Sequence, residues 1–271
     1  MDRNDVVQGT ATWIAWWTEQ RKRKLREELS DTMTINPFLL PILFELHNIS
    51  DFGELSDFLV GSHLMIGHST GFGKLIDEKI LPQVFGTEKL TGSYRRSNYP
   101  FIESCFNEID HIIRRGNGNV DLLSLKSGRW TIQLTMAMQL NHAFNKIITD
   151  FDNNFAQIVV GVSYGTTETL TDKYDILRGI NRGANHNVID LTDRVFVYAG
   201  REFWTWLNDG IEDTQDWLLE GIEEGILRSN PREEGGQLLE NFNRSVSRLY
   251  QPYIRSDGTV AWDELLRDIN G

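Results

Sequence analysis

Two short apolar segments separated by Gly-Asn-Gly-Asn constrain this chain more than any other feature: "EIDHIIRR" from Glu108, "GNGN" at 116–119, and "VDLLSLK" from Val120. In the first segment Glu108, Asp110, Ile112 and Arg114 alternate with Ile109, His111 and Ile113, the two-residue period of a β-strand. In the second, Val120, Leu122, Ser124 and Lys126 share one face, and Asp121, Leu123 and Leu125 share the other. Alternating Gly and Asn supply the positive backbone angles that a tight reversal needs, so the pair reads as an antiparallel hairpin. Such a hairpin can carry Asp110 to Lys126 at the same end of a sheet.

The flanking sequence extends this core on both sides. "TIQLTMAMQLNHAFNKIITDF" is apolar at helical spacing, "AQIVVGVSYG" is a β-branched run typical of a strand buried on both faces, and "RVFVYAG" at 194–200 supplies a further strand that runs into a helix at "REFWTWLND". The expected order is helix, strand, strand, helix, strand. Upstream, residues 11 to 29 have helical character, with Trp13, Trp16 and Trp17 forming a core or dimer stripe. Prolines at 37 and 41 interrupt the next apolar run. A second helical pattern, "DFGELSDFLVGSHLMI", leads to "GHSTGFGKLIDEKILPQVFG", where a Gly-rich loop is expected to pass into helix. Residues 86 to 100 read as polar and turn-rich, and the last 60 or so residues as mostly helical. With no internal repeat or evident linker, the chain is expected to be one α/β core with helical additions.

Composition enters mainly through what it excludes. No apolar run reaches the ~20 residues that span a bilayer, and the N-terminus lacks the apolar centre of a signal peptide, so no membrane partner and a cytoplasmic location are expected. Cys105 is the only cysteine, which rules out an intrachain disulfide and a cysteine-based zinc cage. The net charge of −12 argues at first against a polyanionic partner. Residues 209 to 234, however, hold nine acidic and two basic residues, while basic clusters lie at Arg21 to Arg26, at Arg95 and Arg96, and at Arg114 and Arg115. A basic groove on an acidic chain stays compatible with these numbers.

Two motif-like stretches fail on chemistry. "HSTGFGKL" has His68 where a phosphate-binding loop needs its first glycine and Leu75 where it needs a hydroxyl, so no nucleotide cofactor is expected. "SDGTVAWDE" would place Tyr253 and Arg255 at early calcium-ligand positions, and reads better as a turn opening a helix. The histidines His47, His63, His68, His111, His142 and His186 show no metal-ligand spacing. Asp110 with Lys126 is different. An acid that can hold Mg²⁺ beside an ammonium that can orient water suits phosphodiester hydrolysis, although the same spacing fits a plain cross-strand ion pair.

Asp110, thirteen intervening residues and then Ser124-Leu125-Lys126 resembles the PD-(D/E)xK signature of restriction-type nucleases. "GFGKLIDEKI" is similar to the helix that opens many such cores, and "SLKSGRWTIQ" together with the length resembles type II restriction endonucleases that cut the interrupted palindrome RGGNCCY. The core resemblance spans residues 65 to 165. It implies an α/β restriction-endonuclease-like core (helix, antiparallel strands, helix, strand) with helical N- and C-terminal additions. The expected layout is a single nuclease domain over 1–271, with its catalytic core at 65–200 and additions at 1–64 and 201–271. It further implies Mg²⁺ as cofactor, double-stranded DNA as substrate, 5′-phosphate and 3′-hydroxyl products, a homodimer matched to a palindromic site, and a place in a restriction-modification system.

Within that resemblance Asp110 and the backbone carbonyl of Leu125 are metal ligands and Lys126 is catalytic. Two positions depart from the pattern. Ile109 stands where proline is usual, and Ser124 stands where the second acid belongs. Some enzymes of this fold with S-x-K draw the acid from the following helix, but residues 127–149 contain no Asp or Glu. The acid is therefore expected from Glu78 or Asp77, which lie at helical spacing from Ile80, Leu81 and Val84 or Phe85, or from Glu108. Arg95, Arg96 and Arg129 are expected phosphate contacts. Arg178, Arg182, Asn185 and Asn187 in "LRGINRGANHN" are expected to contact bases or phosphates. Two alternatives stand beside this reading: a repair or modification-dependent nuclease on the same fold, and a DNA-binding protein without turnover, which Ser124 favours.

Overall fold

The computed structural model describes residues 1–28, 38–126, 132–151 and 154–270. The chain opens with helix α1 (Arg3–Glu28), α2 (Leu40–Leu46) and α3 (Phe52–Leu75). Along α1 the buried line is Val6, Thr10, Ile14 and Thr18, four residues apart, rather than the tryptophans, and Trp16 is 43% exposed. Pro41 lies in the first turn of α2, where its missing N–H costs no hydrogen bond, so it starts a helix instead of interrupting one.

The expected Gly-rich loop after residue 66 is corrected. Helix α3 runs through Gly67, Gly71 and Gly73, and the chain continues as a π-helix over Ile76–Val84. Two of the glycines serve close approach: a Cβ at Gly67 would lie 2.9 Å from Arg21 Nη2, and one at Gly71 3.3 Å from Nη1. In the π-helix Ile76, Ile80, Leu81 and Val84 are buried, and its end is marked by i→i−5 bonding from the Phe85 N–H to the Ile80 carbonyl.

The segment expected to be turn-rich holds a two-residue strand, β1 (Glu88–Lys89), and helix α4 (Gly92–Ser97). A 3₁₀ turn at Ser104–Glu108 then delivers the chain to β2 (His111–Arg114), so Glu108 lies outside the strand expected to contain it. Strand β3 (Val120–Lys126) returns antiparallel, with Arg114 opposite Val120. The reversal is closed by the Arg115 N–H to the Asn119 carbonyl, with Gly118 at φ +87°.

Helix α5 (Leu134–Phe151) connects β3 to β4 (Gln157–Val162) in parallel, and α6 (Lys173–Ile176) precedes β5 (Val195–Ala199), also parallel. The result is a mixed α/β arrangement on one five-stranded sheet, ordered β1-β2-β3-β4-β5. Ile112, Leu122, Ile158 and Val160 join Ala137, Leu140, Phe144 and Ile147 of α5 in one core. At Gly161 a Cβ would meet the Phe203 ring at 2.3 Å, so the glycine admits helix α7 (Arg201–Leu207) against the strand.

Helices α8 (Thr214–Ser229), α9 (Pro231–Tyr250) and α10 (Trp262–Asn270) complete the chain. It separates into two compact units, one of Met1–Trp13 with Gly73–Glu224 and one of Ile14–Phe72 with Gly225–Gly271. The first holds the sheet. In the second, Leu40, Phe44, Phe52, Leu55, Tyr250 and Leu265 form a core in which the Phe52 and Tyr250 rings stack at 4.7 Å. Among the described residues no helix is long and apolar enough to cross a membrane.

Candidate active site

The hairpin brings Asp110 and Lys126 to one end of the sheet. Strand register pairs His111 with Leu123 and Ile112 with Leu122, and one further step sets Asp110 opposite Ser124. Asp110 is fixed on three sides. Its N–H donates to the Leu123 carbonyl at 2.8 Å, its carbonyl accepts from the Leu90 N–H at 2.8 Å, and its Oδ2 accepts from the Leu125 N–H at 2.7 Å. Burial pushes the Asp110 pKa above the ordinary carboxylate range, against the opposing pull of the Lys126 charge and the Leu125 N–H. Lys126 is half-buried at the last position of β3, and Leu125 stands in register with Gly161 of β4. Ser124 is fully buried, and its Oγ has no hydrogen-bond partner among the described residues.

A second carboxylate approaches from the π-helix. Asp77 Oδ1 lies 2.8 Å from His111 Nε2, and Oδ2 lies 2.5 Å from Lys89 Nζ. His111 is fully buried and its Nδ1 meets Thr87 Oγ1 at 2.9 Å, so the ring bridges a threonine and the acid. Burial raises the Asp77 pKa, but the bonds from His111 and Lys89 outweigh it, and the net shift is downward. The Asp77 charge in turn helps to raise the Asp110 pKa. Glu78 is more exposed, at 54% of its side chain, and its carboxylate lies 3.9 Å from Lys89 Nζ. Among the acids expected to stand in for the one missing at Ser124, Asp77 bonds to both His111 and Lys89, Glu78 reaches Lys89 alone, and Glu108 sits on the 3₁₀ turn.

No protein-family model and no curated protein matches the chain. Its chemistry is read from its own residues. Among the described residues no group of three His, Cys, Asp or Glu side chains is arranged to hold a metal ion, so any cation here draws on carboxylates with main-chain or hydroxyl oxygens.

The residues expected to touch DNA are scattered in circumstance. Arg95, expected as a phosphate contact, donates from Nε to the Leu90 carbonyl, from Nη1 to Phe106 and from Nη2 to Ile109. Its neighbour Arg96 is exposed. Arg129 lies outside the described residues. Arg178 is half-buried and donates from Nε to the Val195 carbonyl at 3.0 Å. Arg182 pairs with Asp175 at 2.6 Å on the surface. Asn185 accepts the Asn187 N–H at 2.9 Å, a local turn that holds Asn187 at φ +54°.

Sequence reasoning missed Lys89 and did not connect His111 to an acid. His111 directly follows Asp110 in the chain, but a two-residue period sets the two side chains on opposite faces. Lys89 carried no signal, because β1 is two residues long.

Proposed function

We propose that this protein is a Mg²⁺-dependent endonuclease of restriction type that hydrolyses phosphodiester bonds in double-stranded DNA. The observation that carries the reading is the seating of Asp110 against the Leu125 N–H with Lys126 beside it at the same sheet end. The elements that meet there carry oxygen donors that suit a hard cation: the Asp110 and Asp77 carboxylates, the Leu125 carbonyl, and a Ser124 hydroxyl without a hydrogen-bond partner among the described residues. Mg²⁺ is commonly held by one or two carboxylates with waters and substrate phosphate, so a cage of three acids is not required. Asp110 and the Leu125 carbonyl would hold it, with Asp77 on the flank.

When bound, the cation offsets negative charge at the scissile phosphate. The remaining work falls to the chain. Asp110 must be ionised, and the Leu125 N–H and the Lys126 ammonium both favour that form against its burial. Lys126, at the strand end, donates to and orients the attacking water. His111 and Lys89 hold Asp77 as an anion near Asp110. A homodimer reading a palindrome of the form RGGNCCY and leaving 5′-phosphate and 3′-hydroxyl ends follows from the sequence resemblance. Ser124 favours a second reading, a DNA-binding protein without turnover.

The deciding experiment incubates purified protein with a plasmid carrying one RGGNCCY sequence, with Mg²⁺ or EDTA, and sequences the ends. Mg²⁺-dependent cutting at that sequence is the expected result. Cutting elsewhere keeps the nuclease and discards the specificity. A gel shift without cutting selects the second reading.

A further inference from the structure

The Arg95 side chain is bonded to the main chain around Asp110. The Arg95 guanidinium donates to three carbonyls from three different pieces of chain: Leu90, which follows β1, Phe106 in the 3₁₀ turn, and Ile109, the residue before Asp110. The last two bonds are 2.5 Å long. Leu90 is held a second time, because its N–H donates to the Asp110 carbonyl. The chain leading into the acid and the neighbouring Leu90 are thus anchored to one planar, charged fork. That plane presents five donors in fixed geometry, which a lysine ammonium cannot reproduce. The guanidinium and the Asp110 carboxylate also act on each other electrostatically.

From this geometry we infer that Arg95 is the positioning residue of the site, setting the angle at which the Asp110 carboxylate meets the Leu125 N–H. Without the fork, Leu90, Phe106 and Ile109 lose a common anchor, and the 3₁₀ turn that delivers Asp110 is free to shift. The role rests on the nuclease reading for its catalytic consequence, but not for its structural one. Misplacement of a catalytic group by ~1 Å is enough to cost about 100-fold in rate.

The test replaces Arg95 with lysine, which keeps the charge, and separately with glutamine, as a second variant should the first not fold. Three assays are run: cleavage kinetics on a plasmid for kcat and KM, the melting temperature, and hydrogen exchange at the Leu125 amide against the amides of β4. The expected result is a kcat lower by about 100-fold with KM unchanged, faster exchange at Leu125, and β4 protection as in the parent. Addition of guanidinium to an Arg95→Ala protein should restore part of the kcat. Parental kcat with parental Leu125 exchange overturns the inference. So does a lowered melting temperature with kcat retained, since that marks a stability role alone. If the parent protein cuts no DNA, the nuclease reading falls, and Leu125 exchange alone decides whether Arg95 holds Asp110.

Discussion

Replacing Ser124 with alanine should make this protein more stable. The Ser124 side chain is fully buried, and its hydroxyl lacks a hydrogen-bond partner among the described residues. A buried polar group without a partner costs about 1–3 kcal/mol of desolvation. Deleting one oxygen leaves a void no larger than a methyl group, worth at most about 1 kcal/mol against the variant. The net expectation is a gain of about 1 kcal/mol, or a rise of roughly 2–4 °C in melting temperature for a chain of this size. Urea unfolding followed by far-UV circular dichroism measures it, with the slope against denaturant expected to stay constant. A loss of 1 kcal/mol or more refutes the reasoning, because it means that the hydroxyl has a partner, such as a buried water. The same variant reports on the chemistry: if the orphaned oxygen helps to hold the cation, Ser124→Ala gains stability and loses Mg²⁺ affinity together.

Asp110 and Asp77 should respond oppositely to neutralisation. A carboxylate whose folded pKa is raised destabilises the fold once ionised, so Asp110→Asn should be more stable than the parent at pH 7, with the difference vanishing below about pH 4. Asp77, with its pKa lowered, contributes stability above about pH 4 that is lost as pH falls through its folded value, so Asp77→Asn should cost about 1.5–3 kcal/mol at pH 7; thermal melts across pH 3–8 check both. Lys126→Ala should abolish cutting and leave DNA binding, read by gel shift beside the plasmid assay; retained cutting would sink the assignment of Lys126. Gly161→Ala should destabilise by about 1–3 kcal/mol through overpacking against Phe203, and Phe203→Leu in the same chain should recover part of it, measured by a double-mutant cycle in urea.

The parts of the fold that repeat a local rule were legible in the sequence. The hairpin carried its turn residues and its alternation, α5 its helical period, and β4 its β-branched run, and each stands where the pattern puts it. What escaped depends on distant partners. Strand β1 exists because Glu88 and Lys89 pair with Ile112 and His111, more than twenty residues on, and nothing within two residues announces a strand. The bonds of Arg95 reach carbonyls up to fourteen residues away, so a basic pair beside serine and asparagine reads as a surface cluster until the chain is folded. The glycines of α3 look like a loop because glycine usually marks one. Here Gly67 and Gly71 make room for Arg21. Asp110 and Lys126 were accessible because fifteen residues of hairpin link them. Asp77 was not separable from Glu78, since adjacent positions fit one apolar face about equally well under a helical period.

The π-helix at Ile76–Val84 bears on how this chain should be lined up with others. Its i→i−5 bonding accommodates one more residue in each turn's hydrogen-bonded ring than an α-helix does, a geometry frequent at functional sites. Counted at 3.6 residues per turn, Asp77 falls on the same face as Ile80, Leu81 and Val84, so its place depends on the register of this segment being kept. Deleting a single residue here would swing the segment before the deletion round by about 100° relative to the apolar face beyond it. In a chain descended from the shorter helix, the matching carboxylate should therefore be sought one column away.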